Sequence, residues 1–256
     1  MRRQARGILD SMDNSIALVT GANKGIGLEI ARQLAAAGRT VYVGSRDAER
    51  GKAAVADIDG DARLLVLDVL NGESIAAAAR QVDALDILVN NAGISSDEPK
   101  DVTEEDPEEF RRVYETNVFA VVAVTNAFLP TLRRSAHPRI VNISSGTASI
   151  AASAGLGEGV LAYASRPTGT LAAYRSSKAA LNELTVLYAN ALADDGFKVN
   201  ALAPGFRRTN LNGPARASAA AGDPAEGAAG AVRLALLPDD GPSGGFFSWD
   251  GTPVPW

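Results

Sequence analysis

The chain contains no cysteine. Disulfides, zinc–thiolate centres and thiol nucleophiles are excluded together. A single histidine, His137, argues against a Ser-His-Asp hydrolase and against a histidine-rich metal site, so no metal is expected. Long apolar runs are missing too, and none approaches the ~20 residues of a membrane-spanning helix. Charge of one sign is not in excess: 25 Lys and Arg stand against 30 Asp and Glu. A net charge of −5 is too mild to suggest a nucleic-acid or anionic-membrane surface. The opening stretch MRRQARGILDSMDNS is basic but lacks the ~7–15 apolar residues of a secretory signal. It reads as a flexible leader over 1–13, with Met12 as an alternative start. These absences leave a soluble, cytoplasmic, acidic globular protein.

What is present is an alternation. Ile16–Thr20 is a short apolar run ending at a glycine, the pattern of a buried parallel strand. Over 25–37, Ile26, Ile30, Leu34 and Ala37 follow a helical period, which Gly38 stops. The same reading places strands at 41–43, 64–67, 87–90, 140–144 and 198–201. Helices are predicted at 47–58, 73–82, 106–130 and 172–193. Continuous apolar strands alternating with helices predict an α/β fold. It is a doubly wound parallel sheet of about seven strands, flanked by helices on both faces, in one Rossmann-type domain over 14–256. Two stretches break the rhythm. Residues 146–171 are rich in Gly, Ala and Ser, and 204–230 mix Pro, Gly, Ala and Arg. Both exceed ordinary βα loops and are read as an insertion over about 146–171 and a substrate lid over about 206–230.

The first informative site is Thr20-Gly21-Ala22-Asn23-Lys24-Gly25-Ile26-Gly27, between the first strand and the first helix. Gly21 permits a tight turn, while Gly25 and Gly27 let backbone approach a pyrophosphate at a positive helix N-terminus. The spacing G-x-x-x-G-x-G is neither the G-x-G-x-x-G fingerprint nor a P-loop. A glycine cluster alone is weak evidence, and its place after a first strand is what points to a dinucleotide. The end of the second strand discriminates between nucleotides. A carboxylate there suits the ribose 2′-OH of NAD, and cations suit the 2′-phosphate of NADP. Here the residues are Gly44-Ser45-Arg46-Asp47, then Arg50. Arg46 lies where a 2′-phosphate would sit, Lys24 can add charge, and Asp47 is better placed to cap the following helix. The cofactor expected is NADP(H). The competing reading makes Arg46 and Arg50 solvated residues of a helix start.

Tyr174 and Lys178 stand four apart on a predicted helix, and so share one face. A phenol with pKa near ~10 is a poor acid–base group at neutral pH, but an adjacent ammonium lowers it. Such a pair can exchange a proton at a carbonyl or alcohol centre. Alone, Tyr-x-x-x-Lys arises often by chance. The combination is more telling: Thr20–Gly27, Asn90-Asn91-Ala92-Gly93, Asn117, Ser144-Ser145 and Tyr174/Lys178 occur in one order. In this the chain resembles the compact single-domain branch of the short-chain dehydrogenase/reductase family, over residues 15 to about 250. Leu234-Ala-Leu-Leu-Pro, Gly241-Pro-Ser-Gly-Gly-Phe-Phe, Asn23-Lys24 and Arg46-Asp47 look like its carbonyl-reductase-like subgroup.

The resemblance implies roles. Tyr174 would be the general acid in reduction and the base in oxidation. Lys178 would hold the nicotinamide ribose and lower the tyrosine pKa. Ser145, rather than Ser144, would bond the substrate oxygen, and Asn117 would anchor a water linking Lys178 to solvent. The cofactor would lie on Gly21, Asn23, Lys24, Gly25, Ile26, Gly27 and Arg46. Asp68 and Val69 would sit by the adenine. Asn91, Ala92 and Gly93 would line the ribose side, and Pro204, Gly205, Phe206 and Thr209 would cover the carboxamide. The implied activity is hydride transfer between NADP(H) and a ketone, aldehyde or secondary alcohol. Its rivals are an NAD-dependent alcohol dehydrogenase and a non-catalytic nucleotide sensor. The partner expected is a small-molecule carbonyl or alcohol, with monomer and homo-oligomer both open. One departure is visible: the 29 positions from Ser145 to Tyr174 exceed the usual interval of the compact branch. His137 reads as a solvated loop residue. Trp249 and Trp256 read as tail packing more readily than as substrate contacts.

Overall fold

The computed structural model describes residues 15–96, 98–156, 169–211 and 217–256. The leader, part of the expected insertion and the tip of the expected lid lie outside the described residues. Seven strands form one parallel sheet: β1 (Ile16–Val19), β2 (Thr40–Ser45), β3 (Ala62–Val66), β4 (Ile87–Asn90), β5 (Arg139–Ile143), β6 (Lys198–Ala203) and β7 (Phe246–Ser248). Their order across the sheet is β3-β2-β1-β4-β5-β6-β7. The chain thus starts at the centre, winds outward to β3, then crosses back past β1 to β4 and on to β7.

Strand alternation sends successive side chains to opposite faces, and both faces are covered. Ala17, Val19, Ile87, Val89, Val141 and Ile143 enter one core, while Leu18, Leu88, Ile140 and Val199 enter the other. The first core is closed by α1 (Gly25–Ala36), α2 (Ala48–Ala56) and α8 (Pro224–Ala235). The second is closed by α3 (Gly72–Gln81), α5 (Ala120–Leu132) and α7 (Ala172–Ala191). Local chemistry starts the helices where it should. Asp47 accepts from Arg50 N at 3.0 Å and Asn71 from Ser74 N at 3.0 Å, each satisfying an orphan donor. Asp106 and Asp223 cap the same way, each ahead of a proline at the first helical position. Among the described residues no helix is long and apolar enough to cross a membrane.

Three elements differ from expectation. The single helix predicted over 106–130 is broken: α4 (Pro107–Tyr114) passes into one π turn, Glu115–Phe119, before α5 begins. Asn117 sits in that turn, whose extra residue re-aims the side chains of the segment. The irregular stretch expected over 204–230 ends early, because α8 starts at Pro224. The described part of the 146–171 insertion is ordered as a 3₁₀ turn (Gly146–Ala148) and a short helix α6 (Ile150–Ser153).

Candidate active site

The residues singled out for chemistry follow the C-terminal ends of β1 to β6 or, for Asn117, Tyr174 and Lys178, sit on the π turn and on α7. At β1, Thr20 Oγ1 accepts from Asn91 N at 2.9 Å and Ala92 N at 3.0 Å. Asn91 Nδ2 returns a bond to Thr20 O at 2.8 Å. The glycine loop and the β4 loop are thereby laced together, and glycine is required at the seam. A Cβ at Gly27 would lie 2.4 Å from Asn91 Nδ2, and Gly21 holds φ +62 against Ala92. Lys24, at the N-cap of α1, provides no side-chain cap. The first N–H groups of α1, from Gly25 through Ile26 to Gly27, are therefore left for an external acceptor. Asn23 is half-buried, and Ile26 packs against the first core.

Beyond β2, Arg46 is exposed and makes no ion pair or hydrogen bond among the described residues. Asp47 is committed to the α2 N-terminus, and the backbone bond from Arg50 holds its carboxyl below the usual range. Arg50 leans on Asp47 at 3.3 Å. The two arginines thus separate: Arg50 belongs to the helix start, and Arg46 points to solvent with Lys24 also exposed. After β3, Asp68 accepts from Leu70 N at 3.0 Å, and Val69 packs against the second core.

At the end of β5, Ser144 N donates to Leu202 O of β6 at 2.8 Å, which extends the pairing of the two strands. Ser144 is buried and bonds Asn182 Oδ1 at 2.6 Å, a structural position. Ser145 instead faces the Tyr174 phenol, near enough to hold its pKa down, and lies 2.9 Å from Thr147 Oγ1. Lys178, one turn beyond Tyr174 on α7, is buried and donates from Nζ to Ile143 O at 2.8 Å. Gly93 makes room for this group: a Cβ there would be 3.1 Å from Asn117 Oδ1 and 3.4 Å from Lys178 Nζ. Tyr174, Lys178, Ser145, Gly93 and Asn117 are thus one cluster.

One expectation needs correction. An ammonium beside Tyr174 is expected to lower its phenol, but desolvation by burial dominates and pushes it up, with Ser145 opposing. Burial also lowers Lys178 to about 8. The side chain of Asn117 is held by the protein itself. Its Nδ2 donates to Ile94 O at 2.9 Å and Ser177 Oγ at 3.0 Å, and its Oδ1 accepts from Ile94 N at 2.9 Å. Both donor hydrogens are spent, so the amide is a clamp joining the β4 loop, the π turn and α7.

From β6 the chain turns at Pro204 and Gly205, the latter at φ +80, and passes half-buried Phe206 to Thr209. Thr209 is 9% exposed and abuts the glycine loop: a Cβ on Gly25 would be 3.5 Å from its methyl. The described part of the insertion is tied down at both ends of α6, by Ala151 N to Trp256 O and by Arg175 to Ser153 Oγ, each 2.9 Å. Sequence reasoning missed Ser177 and Arg207, whose partners are 60 and 19 positions away along the chain. Trp249 lies under the Arg207 guanidinium, and Trp256 stacks on Phe246, so both aromatics pack against the chain's own residues. His137 is not free: its Nδ1 is 2.9 Å from Asp239. Among the described residues no cluster of acidic or histidine side chains could hold a metal ion.

Residues 15–157 and 160–220 match the family model described as short chain dehydrogenase. A short-chain dehydrogenase of Penicillium roqueforti is 38% identical over 209 residues, covering 77% of this chain and 81% of the relative. The (−)-isopiperitenone reductase of Mentha piperita is 35% identical, covering 91% of this chain and 96% of its own length. The NADPH-bound carbonyl reductase from chicken fatty liver superposes with a TM-score of 0.80 at 30% identity, over 95% of this chain and 99% of that one. With the Tyr174–Ser145–Lys178 cluster at the mouth of this parallel sheet, these likenesses make the chain an oxidoreductase that belongs to the short-chain dehydrogenase family.

Proposed function

We propose that this protein is an NADP(H)-dependent carbonyl reductase acting on a small ketone or aldehyde. The observation that carries the reading is the Tyr174 phenol facing Ser145, with buried Lys178 one turn on. The residues present fit the cofactor. The uncapped α1 N-terminus offers donors to a pyrophosphate, and the glycines there leave room for it. Unpaired Arg46 offers a charge-assisted bond to a 2′-phosphate. When bound, NADPH supplies the hydride.

The protein's own part is proton supply and orientation. Ser145 and Tyr174 converge on one point, where both hydroxyls can donate to a carbonyl oxygen. Raised by burial, the Tyr174 phenol is in its protonated form at neutral pH, which is the form that gives a proton to developing negative charge. Lys178 lies beside Gly93 and Asn117, where its ammonium can hold ribose hydroxyls. The Asn117 clamp positions that face of α7 against the β4 loop. Retention of the Tyr174–Lys178 pair favours an enzyme over a silent nucleotide sensor.

Removing the phenol tests the assignment. Tyr174→Phe is expected to bind NADPH nearly as wild type does and to lower kcat by ~10²-fold or more, the scale of general acid catalysis. Steady-state NADPH consumption with a panel of aldehydes, cyclic ketones and quinones measures this. A Phe variant keeping most of the wild-type rate removes Tyr174 from the chemistry.

A further inference from the structure

The turn after β6 holds a buried cation that the proposed reaction does not use. Arg207 is only 4% exposed. Its Nε donates to Pro204 O at 2.6 Å, its Nη1 pairs with Glu226 in the first turn of α8, and its guanidinium lies 4.5 Å from the Trp249 ring centroid. Glycine makes the slot: a Cβ on Gly222 would come within 2.1 Å of Nη1. Around it the backbone closes, with Gly222 N donating to Phe206 O at 2.9 Å and Arg208 N to Gly222 O at 3.0 Å. Thr209 N then donates to Arg207 O at 2.8 Å, immediately before the threonine methyl meets Gly25.

A hydrophobic residue would fill this slot without the desolvation cost of a buried charge. What a guanidinium adds is direction, because its planar fork fixes several partners at once. Here those partners come from the β6 turn, the start of α8 and the segment after β7. We propose that Arg207 is a positioning residue for the nicotinamide half of the cofactor, setting the Pro204–Phe206 turn and the presentation of Thr209. This rests on the cofactor placement proposed above.

The test compares two ligands by titration calorimetry: NADPH, and 2′-phospho-ADP-ribose, which lacks the nicotinamide. Arg207→Met is expected to weaken NADPH by about ten-fold or more while leaving 2′-phospho-ADP-ribose within about two-fold. Arg207→Lys, which keeps the charge but not the fork, is expected to recover only part of the loss. Gly222→Ala leaves Arg207 in the chain but evicts its head, and is expected to show the same selective loss. It decides the matter if Arg207→Met does not fold. Equal weakening of both ligands marks a merely structural arginine and overturns the proposal, as does unchanged NADPH affinity in folded variants. A wild type that prefers NADH overturns the NADP(H) reading alone. The same ratio is then read with NADH against ADP-ribose.

Discussion

Lys178 shows how a single residue trades stability for chemistry. Its ordinary pKa is 10.5, and burial lowers it to about 8 in the folded protein. Below pH 8 both folded and unfolded chains hold the proton, and the fold bears the full cost of a desolvated ammonium. Between 8 and 10.5 the folded lysine gives up its proton while the unfolded one keeps it, so this group adds stability as pH rises. At ~1.4 kcal/mol per pH unit the window corresponds to roughly 3 kcal/mol. Urea denaturation of wild type and Lys178→Met at pH 7 and pH 10 should show the wild type gaining on the variant by about that amount, while the variant loses turnover at both. A stability difference independent of pH would mean that the ammonium is not desolvated.

At the level of elements, α8 runs against helix propensity. Gly227 and Gly230 lie inside it, where alanine is ordinarily ~1 kcal/mol better. A Cβ on Gly230 would fall 2.8 Å from Trp249 O and 2.9 Å from Trp249 Cα, both backbone atoms that cannot swing away. Gly230→Ala is therefore expected to destabilise, by about 1–3 kcal/mol, the scale of overpacking. A rise in the thermal midpoint of that variant would refute the packing argument. The same helix shows where the sequence was legible and where it was not. Strands such as Ile87–Asn90 announce themselves as short, continuously apolar runs, and helices such as α1 by periodic burial, both local signals. Asp223-Pro224 is a readable helix start, but the glycines after it look like loop until Trp249 is seen behind them. The π turn was hidden for a different reason. Residues 115–119 have an ordinary helical pattern, and only Ile94 and Ser177, on two other segments, show why Asn117 sits there. The Tyr174, Lys178, Ser145 and Asn117 cluster was legible as residue types in order. Its hydrogen bonds were not, because each joins segments far apart in the chain.

On the scale of the whole molecule, the glycine loop, Arg46, the β4 loop, α7 and the Thr209 turn all meet at one edge of one sheet. A dinucleotide gripping several strand ends stabilises the folded chain as a unit, by the mass-action term for a ligand that binds only the native state. At a hundred times its Kd, NADPH should add ~2.7 kcal/mol, or roughly 5–10 °C in the midpoint for a chain of this size. NADH lacks the 2′-phosphate that Arg46 is proposed to meet. One lost charge-assisted bond of ~1.5–3 kcal/mol weakens binding about ten- to a hundred-fold. At the same concentration NADH should therefore add only ~0.4–1.4 kcal/mol. Arg46→Asp should shrink the NADPH shift, since a carboxylate then faces the phosphate, and should leave or enlarge the NADH shift. Thermal scans of both proteins with both nucleotides provide the measurement. If NADH shifts the wild type as far as NADPH at equal concentration, Arg46 is a solvated helix-start residue and the cofactor preference must be reassigned.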